Sequence, residues 1–260
     1  MKKSIIIISA LCIALGTSCY AQTGLQLGFR FNPEFTGLIN KSDADAGDEL
    51  NYSGHFTYIS FGIGALYNLN NNIGFGVDIL FSREGQAFKG NFTGAQLDAT
   101  AYSSVVGTQV FLNNTVILGN YDALAELNYI KVPLMLSLTS DNVKPLFFTM
   151  LVGPQFNFLQ GVAQEVNGED LEYPNSNIEP KDLYQPVVFA GVLAVGGAYN
   201  LTSHLVFSMR LRLDYGFNDA EQKDVLVSYS GGESTLFYSA DRKSTHSATV
   251  GLLMGLDFRL

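Results

Sequence analysis

The stretch Asn128–Leu138 reads NYIKVPLMLSL and sets a lysine and a proline inside a run of large apolar residues. A buried helix accommodates neither. Proline removes a hydrogen bond and clashes with the preceding turn, and a lone charge in an apolar core is costly. Period two resolves the stretch: Ile130, Val132, Leu134, Leu136 and Leu138 share one face, while Lys131, Pro133, Met135 and Ser137 share the other. This is a strand with one wholly apolar face and one mixed face that carries a charge.

The same grammar recurs along the chain. Leu25, Leu27, Phe29 and Phe31 alternate with Gln26, Gly28, Arg30 and Asn32. Residues 59–69 and 73–82 follow, joined by Asn70-Asn71-Asn72, a turn signal. Further runs cover 146–157, 205–218 and 250–260. The run Gln185–Tyr199, mostly Val, Ala and Gly, leaves its faces undecided. Together these predict eight strands, most of about ten residues or more, longer than the five or six usual in soluble sheets. Three connections are short: around Asn70–Asn72, Ser140–Lys144 and Asn200–Ser203. Four are long: about Pro33–His55, Ala87–Leu124, Gly161–Tyr184 and Asp219–Ser244. Short turns at one end and long loops at the other predict an all-β, eight-stranded antiparallel up-and-down transmembrane barrel, with both termini at the periplasmic end.

Charge decides which face meets lipid. Arg210, Arg212 and Asp214 share a face, and Arg or Lys on a barrel's lipid side costs about 2–4 kcal/mol at the midplane. The apolar face therefore points outward, and Lys131 points into the lumen. The expected lumen charge network is Arg30, Asp78, Lys131, Arg210, Arg212, Asp214, Asp257 and Arg259. Eight strands leave an interior that side chains fill, so these groups are read as a plug that holds the barrel together. Pro133 and Pro154 each remove a ladder donor from a sheet with no free edge, which predicts a bulge or a local break at each. Tyr58, Tyr67, Tyr129, Tyr199 and Tyr215 are expected in the interfacial girdles. The loop tyrosines Tyr52, Tyr102, Tyr121 and Tyr173 offer stacking faces for carbohydrate, though tyrosine is ordinary in such loops.

Composition agrees with this. The chain has 260 residues, 47% hydrophobic and only 15% charged, yet beyond the first residues no run approaches the roughly 18 apolar residues of a membrane helix. Lys2 and Lys3 precede an apolar core, Ile5–Leu15, and Cys19-Tyr20-Ala21 resembles a cleavage site. The expectation is a signal peptide over residues 1–21 and a barrel domain over 22–260. Cleavage removes both cysteines, Cys12 and Cys19, so the mature chain has no disulfide. A lipoprotein reading through Cys19 is weak, because Gly16-Thr17-Ser18 lacks the apolar residue such sites carry. Loss of two lysines takes the formal charge from -9 to about -11, and an acidic chain without basic clusters argues against nucleic acid.

Catalytic signals are sparse. The histidines are His55, His204 and His246, and the last has Ser244 and Ser247 beside it. A rim Ser/His site of a lipid-modifying enzyme is one alternative, without a placed acid partner. A narrow passive channel is another. Asp43-x-Asp45-x-x-Asp48-Glu49 lacks the ligand spacing of a calcium loop. No metal, cofactor or catalytic residue is assigned.

Tyr129-Ile130-Lys131-Val132-Pro133-Leu134, Lys144-Pro145-Leu146-Phe147 to Gly153-Pro154, the glycine-rich Phe189–Tyr199 and the strand ending Asp214-Tyr215-Gly216 resemble the PorT-like outer-membrane β-barrel family. That family is named for a protein needed for protease secretion in Bacteroidota. Its members often carry an acid where this chain has Lys131. The resemblance spans the mature chain and implies an outer-membrane barrel of Bacteroidota. The expected role is non-enzymatic, structural or interactive: membrane integrity, surface recognition or support of secretion. The expected partners are outer-membrane lipid and lipopolysaccharide, and the barrel-assembly machinery during insertion.

Overall fold

The computed structural model describes residues 24–44, 51–53, 55–92, 119–140, 142–168, 180–222, 226–228, 235–237 and 243–260. Eight long strands carry the fold: β1 (Gly24–Asn40), β3 (His55–Asn68), β4 (Ile73–Phe92), β5 (Gly119–Thr139), β6 (Leu146–Gly168), β7 (Val187–Asn200), β8 (Leu205–Gly216) and β11 (Thr245–Arg259). The short β2 (Asn51–Ser53) pairs with β4, and β9 (Leu226–Ser228) pairs with β10 (Thr235–Phe237). Each long strand pairs antiparallel with its sequence neighbour, and β1 pairs with β11, which closes the ring.

The register fixes the barrel's stagger. From Gly24 the ladder steps across Asn68, Gly74, Ser137, Leu151, Ala194, Arg212 and Gly251, then returns to β1 at Glu34, ten residues along. Stagger and strand number together set a tilt of about 35–45° and a bore no wider than side chains can fill.

The outward face is the apolar one. Phe29, Phe61, Ile63, Phe75, Phe81, Leu211 and Leu146 all expose half or more of their surface, as a belt meeting lipid demands. β7, undecided from its composition, turns Val188, Ala190, Val192, Ala194 and Ala198 inward and Phe189, Leu193 and Tyr199 outward. Its small inward residues leave room for long charged side chains from other strands. Tyr67, Tyr199 and Tyr215 lie on the outer face, about half exposed. Tyr129 does not join them: it points inward at 2% exposure, because it shares parity with Lys131. The side chains of Tyr52, Tyr58 and Tyr121, and all of Tyr102 and Tyr173, lie outside the described residues.

The strands reach further than the apolar alternation predicts. β1 runs through Pro33 to Asn40, β4 to Phe92, β5 starts at Gly119, β6 ends at Gly168 and β11 starts at Thr245. Beyond the lipid belt the sense of the alternation inverts. Arg83, Lys89, Asp122 and Glu126 face outward, while Phe88, Ala123, Ala125, Leu127 and Leu159 are buried inside. The same sheet meets lipid below and water above, so its outer face changes from apolar to charged. Leu183 and Tyr184 pack into this upper core, fully buried. Backbone bonds Gln185 N to Ala220 O and Gln222 N to Leu183 O, at 2.9 and 2.8 Å, hold them there.

The prolines act locally. At Pro133 the pairs that would join Asp78 to Pro133 and Leu134 to Pro154 are missing, and the register resumes unchanged on either side. Pro154 itself stays in register with Gly191. The register shifts lie elsewhere, between Asn128 and Tyr129 on β5 and between Pro33 and Glu34 on β1.

Candidate functional site

The inward residues build two buried ion clusters. In the first, Arg30, 6% exposed, bridges two strands: its Nε donates to Asp78 Oδ1 at 3.1 Å and its Nη1 to Asp257 Oδ1 at 2.6 Å. Glycines make the room. A Cβ on Gly28 would strike the Asp257 carboxylate, and one on Gly64 would strike Asp78 and the Arg30 guanidinium. An inward glycine therefore stands beside each end of this bridge.

The second cluster centres on Lys131, 1% exposed. Its Nζ lies 2.8 Å from Glu84 Oε1, 3.2 Å from Asp214 Oδ2 and 3.8 Å from Glu34 Oε1. Arg212 grips Asp214 with both Nε (2.8 Å) and Nη2 (3.2 Å), and Nη2 also donates to Gln155 Oε1 at 2.5 Å. Ser82 donates to Glu34 Oε1 at 2.6 Å, and Asn32 to Glu34 Oε2 at 2.5 Å. Removing such charges from water costs several kcal/mol per ion, which good pairing and added hydrogen bonds offset. Each ion is held by groups from other strands, so closure and charge pairing require each other.

Arg210 and Arg259 stand outside both clusters. Arg210 is 5% exposed, and among the described residues its one hydrogen bond runs from Nη1 to Ser208 Oγ at 2.9 Å. Arg259 sits half-buried at the short-turn end, where Nη2 donates to Asn200 Oδ1 at 2.8 Å. The expected set lacked Glu34, which fell in a stretch assigned to a loop, and Glu84, which lay just past the run read to Ser82. Parity would have found them: Glu34 follows Arg30 and Asn32, and Glu84 follows Asp78 and Ser82, each at a spacing of two.

Apolar side chains occupy further parts of the lumen. Met135, Leu151, Val192, Ala194 and Leu253 form an inward apolar cluster, and Phe147, Ala198 and Val206 form another. The alternative reading of a rim Ser/His site finds no pairing of His246 with Ser247. His246 lies on the outer face, stacked on Tyr215 at 5.7 Å with Nδ1 3.0 Å from Gly216 O, while Ser247 is buried inside. The side chain of His55 and the acidic run Asp43 to Glu49 lie outside the described side chains. Among the described residues, no group of three His, Cys, Asp or Glu side chains is placed to hold a metal.

The family model described as "Outer membrane protein beta-barrel domain" matches residues 20–222. The chain belongs to this outer membrane protein β-barrel family. An outer-membrane location goes with the family and with the lipid-facing belt. No curated protein matches the sequence. Among solved structures, the chain is similar to the outer membrane protein OprG from Pseudomonas aeruginosa, at 10% identity and TM-score 0.41, covering 93% of this chain and 97% of that one. It is similar to Neisserial surface protein A at 10% identity and TM-score 0.41, covering 91% and 97%. It is also similar to the outer membrane protease OmpT from Escherichia coli at 8% identity and TM-score 0.41, covering 95% and 100%.

Proposed function

We propose that this protein is a non-enzymatic integral outer-membrane barrel of structural or interaction type, working through its extracellular side rather than through a pore. The observation that carries this reading is the lumen closed by side chains. Arg212, Lys131, Gln155 and Glu34 are all at or below 1% exposure, and a buried ion-paired plug opposes ion passage. The likeness to the PorT-like family favours a role in the envelope of Bacteroidota, as support of protein secretion or as surface recognition. Outer-membrane lipid and lipopolysaccharide are its surroundings, and the barrel-assembly machinery inserts it. Residues 1–21 serve as the export signal, and N-terminal sequencing of the membrane protein should begin at Gln22.

Planar-bilayer recording of the purified barrel tests the reading. The expected trace is silent at moderate voltage. Reproducible unitary steps would make the lumen a channel and overturn it.

A further inference from the structure

The two halves of the lumen, counted with Arg210 and Arg259, differ in charge. Around Lys131, two cations, Lys131 and Arg212, face three carboxylates: Glu34, Glu84 and Asp214. In the periplasmic half, Arg30, Arg210 and the half-buried Arg259 face only Asp78 and Asp257. Both aspartates already bind Arg30. Arg210 is left 5% exposed with no carboxylate within 4.0 Å among the described residues, and its Nε has no partner. A buried guanidinium without a close counter-charge is costly.

Arg210 also lines a cavity of about 10 Å³ with Gln26, Asn68, Asn142, Thr149 and Asp257. Two more buried atoms of that lining, Thr149 Oγ1 and Asn142 Oδ1, have no partner. The volume is about that of a single water-sized particle, which suits a monatomic ion better than phosphate or an organic acid. We propose that this chamber binds one small monovalent inorganic anion of halide size, held by the Arg210 guanidinium and the Thr149 hydroxyl. Asp257 also lines the chamber, and Arg30 Nη1 at 2.6 Å pairs with its carboxylate. The anion gives Arg210 the close counter-charge it lacks and reaches the chamber from the short-turn end, where Asn142 and Arg259 lie.

Bromide is the probe. Crystals of the folded barrel grown without halide and then soaked in bromide should show an anomalous peak within hydrogen-bonding reach of Arg210. In detergent, chloride should raise the midpoint of the heat-modifiable transition saturably, by about 2–4 °C over gluconate at equal ionic strength. Arg210→Gln should abolish both effects. Thr149→Val keeps every charge, so it serves if Arg210→Gln fails to fold, and it should weaken both. No peak at Arg210, with chloride and gluconate indistinguishable, would overturn the proposal and leave water bridging Arg210 to Asp257.

Discussion

Replacing Lys131 with methionine tests whether the plug stabilises the barrel through charge balance. The three carboxylates around Nζ are not equally dependent on it. Asp214 keeps Arg212 at 2.8 Å, and Glu34 keeps Ser82 at 2.6 Å and Asn32 at 2.5 Å. Among the described residues, Glu84 keeps only the Thr249 hydroxyl at 3.3 Å, with Oε2 unpartnered. Loss of Lys131 therefore strands Glu84 above all. Removing one partner of a buried pair costs about 3–5 kcal/mol, whereas replacing both with well-packed apolar groups is often neutral or better. Lys131→Met should lose about 3–5 kcal/mol, and Lys131→Met with Glu84→Met should recover at least half of that. Urea unfolding in lipid vesicles, followed by circular dichroism and by the heat-modifiable band, measures it; the chain has no tryptophan to report fluorescence. If the double variant is no more stable than Lys131→Met alone, the charge-balance reasoning is wrong.

Other perturbations separate the faces and the packing. Leu211, 55% exposed, lies on the lipid belt; Leu211→Arg should cost about 2–4 kcal/mol in the same urea titration. A Cβ at Gly64 meets Asp78 and Arg30, whereas one at Gly197 finds only Phe147 O at 3.8 Å. Gly64→Val should thus sharply reduce the yield of heat-modifiable protein, while Gly197→Ala should stay within about 0.5 kcal/mol. Tyr129 buries a hydroxyl with no hydrogen-bond partner among the described residues, so Tyr129→Phe should be neutral or stabilise by up to about 1 kcal/mol; a larger loss would point to a partner for that oxygen. Unboiled and boiled outer-membrane samples should migrate differently in SDS, because a closed ladder has no edge from which to open.

Period two and the cost of charge in lipid determined a great deal from the sequence alone: the eight strands, the direction the faces point on all of them but β7, and the inward placement of Arg30, Asp78, Lys131, Arg212, Asp214 and Asp257. These follow locally, since adjacent residues on a strand must face opposite solvents. The alternation stopped being readable where the outside solvent changed. Above the belt, β4, β5 and β6 continue with charged residues outside and apolar ones inside, and Tyr129 was placed in an outer girdle although it shares the inward parity of Lys131; Glu34 and Glu84 keep the inward parity but lay beyond the runs read as strands. β7 was unreadable because Val, Ala and Gly fit either solvent. Which carboxylate meets which cation, that Arg210 has none close by among the described residues, and that Gly64 on the neighbouring β3 clears space for Arg30 were decided only by the ten-residue stagger of the closed ring. Closure brings together side chains as far apart in sequence as Arg30 and Asp257, and a pattern of period two carries no information about that distance.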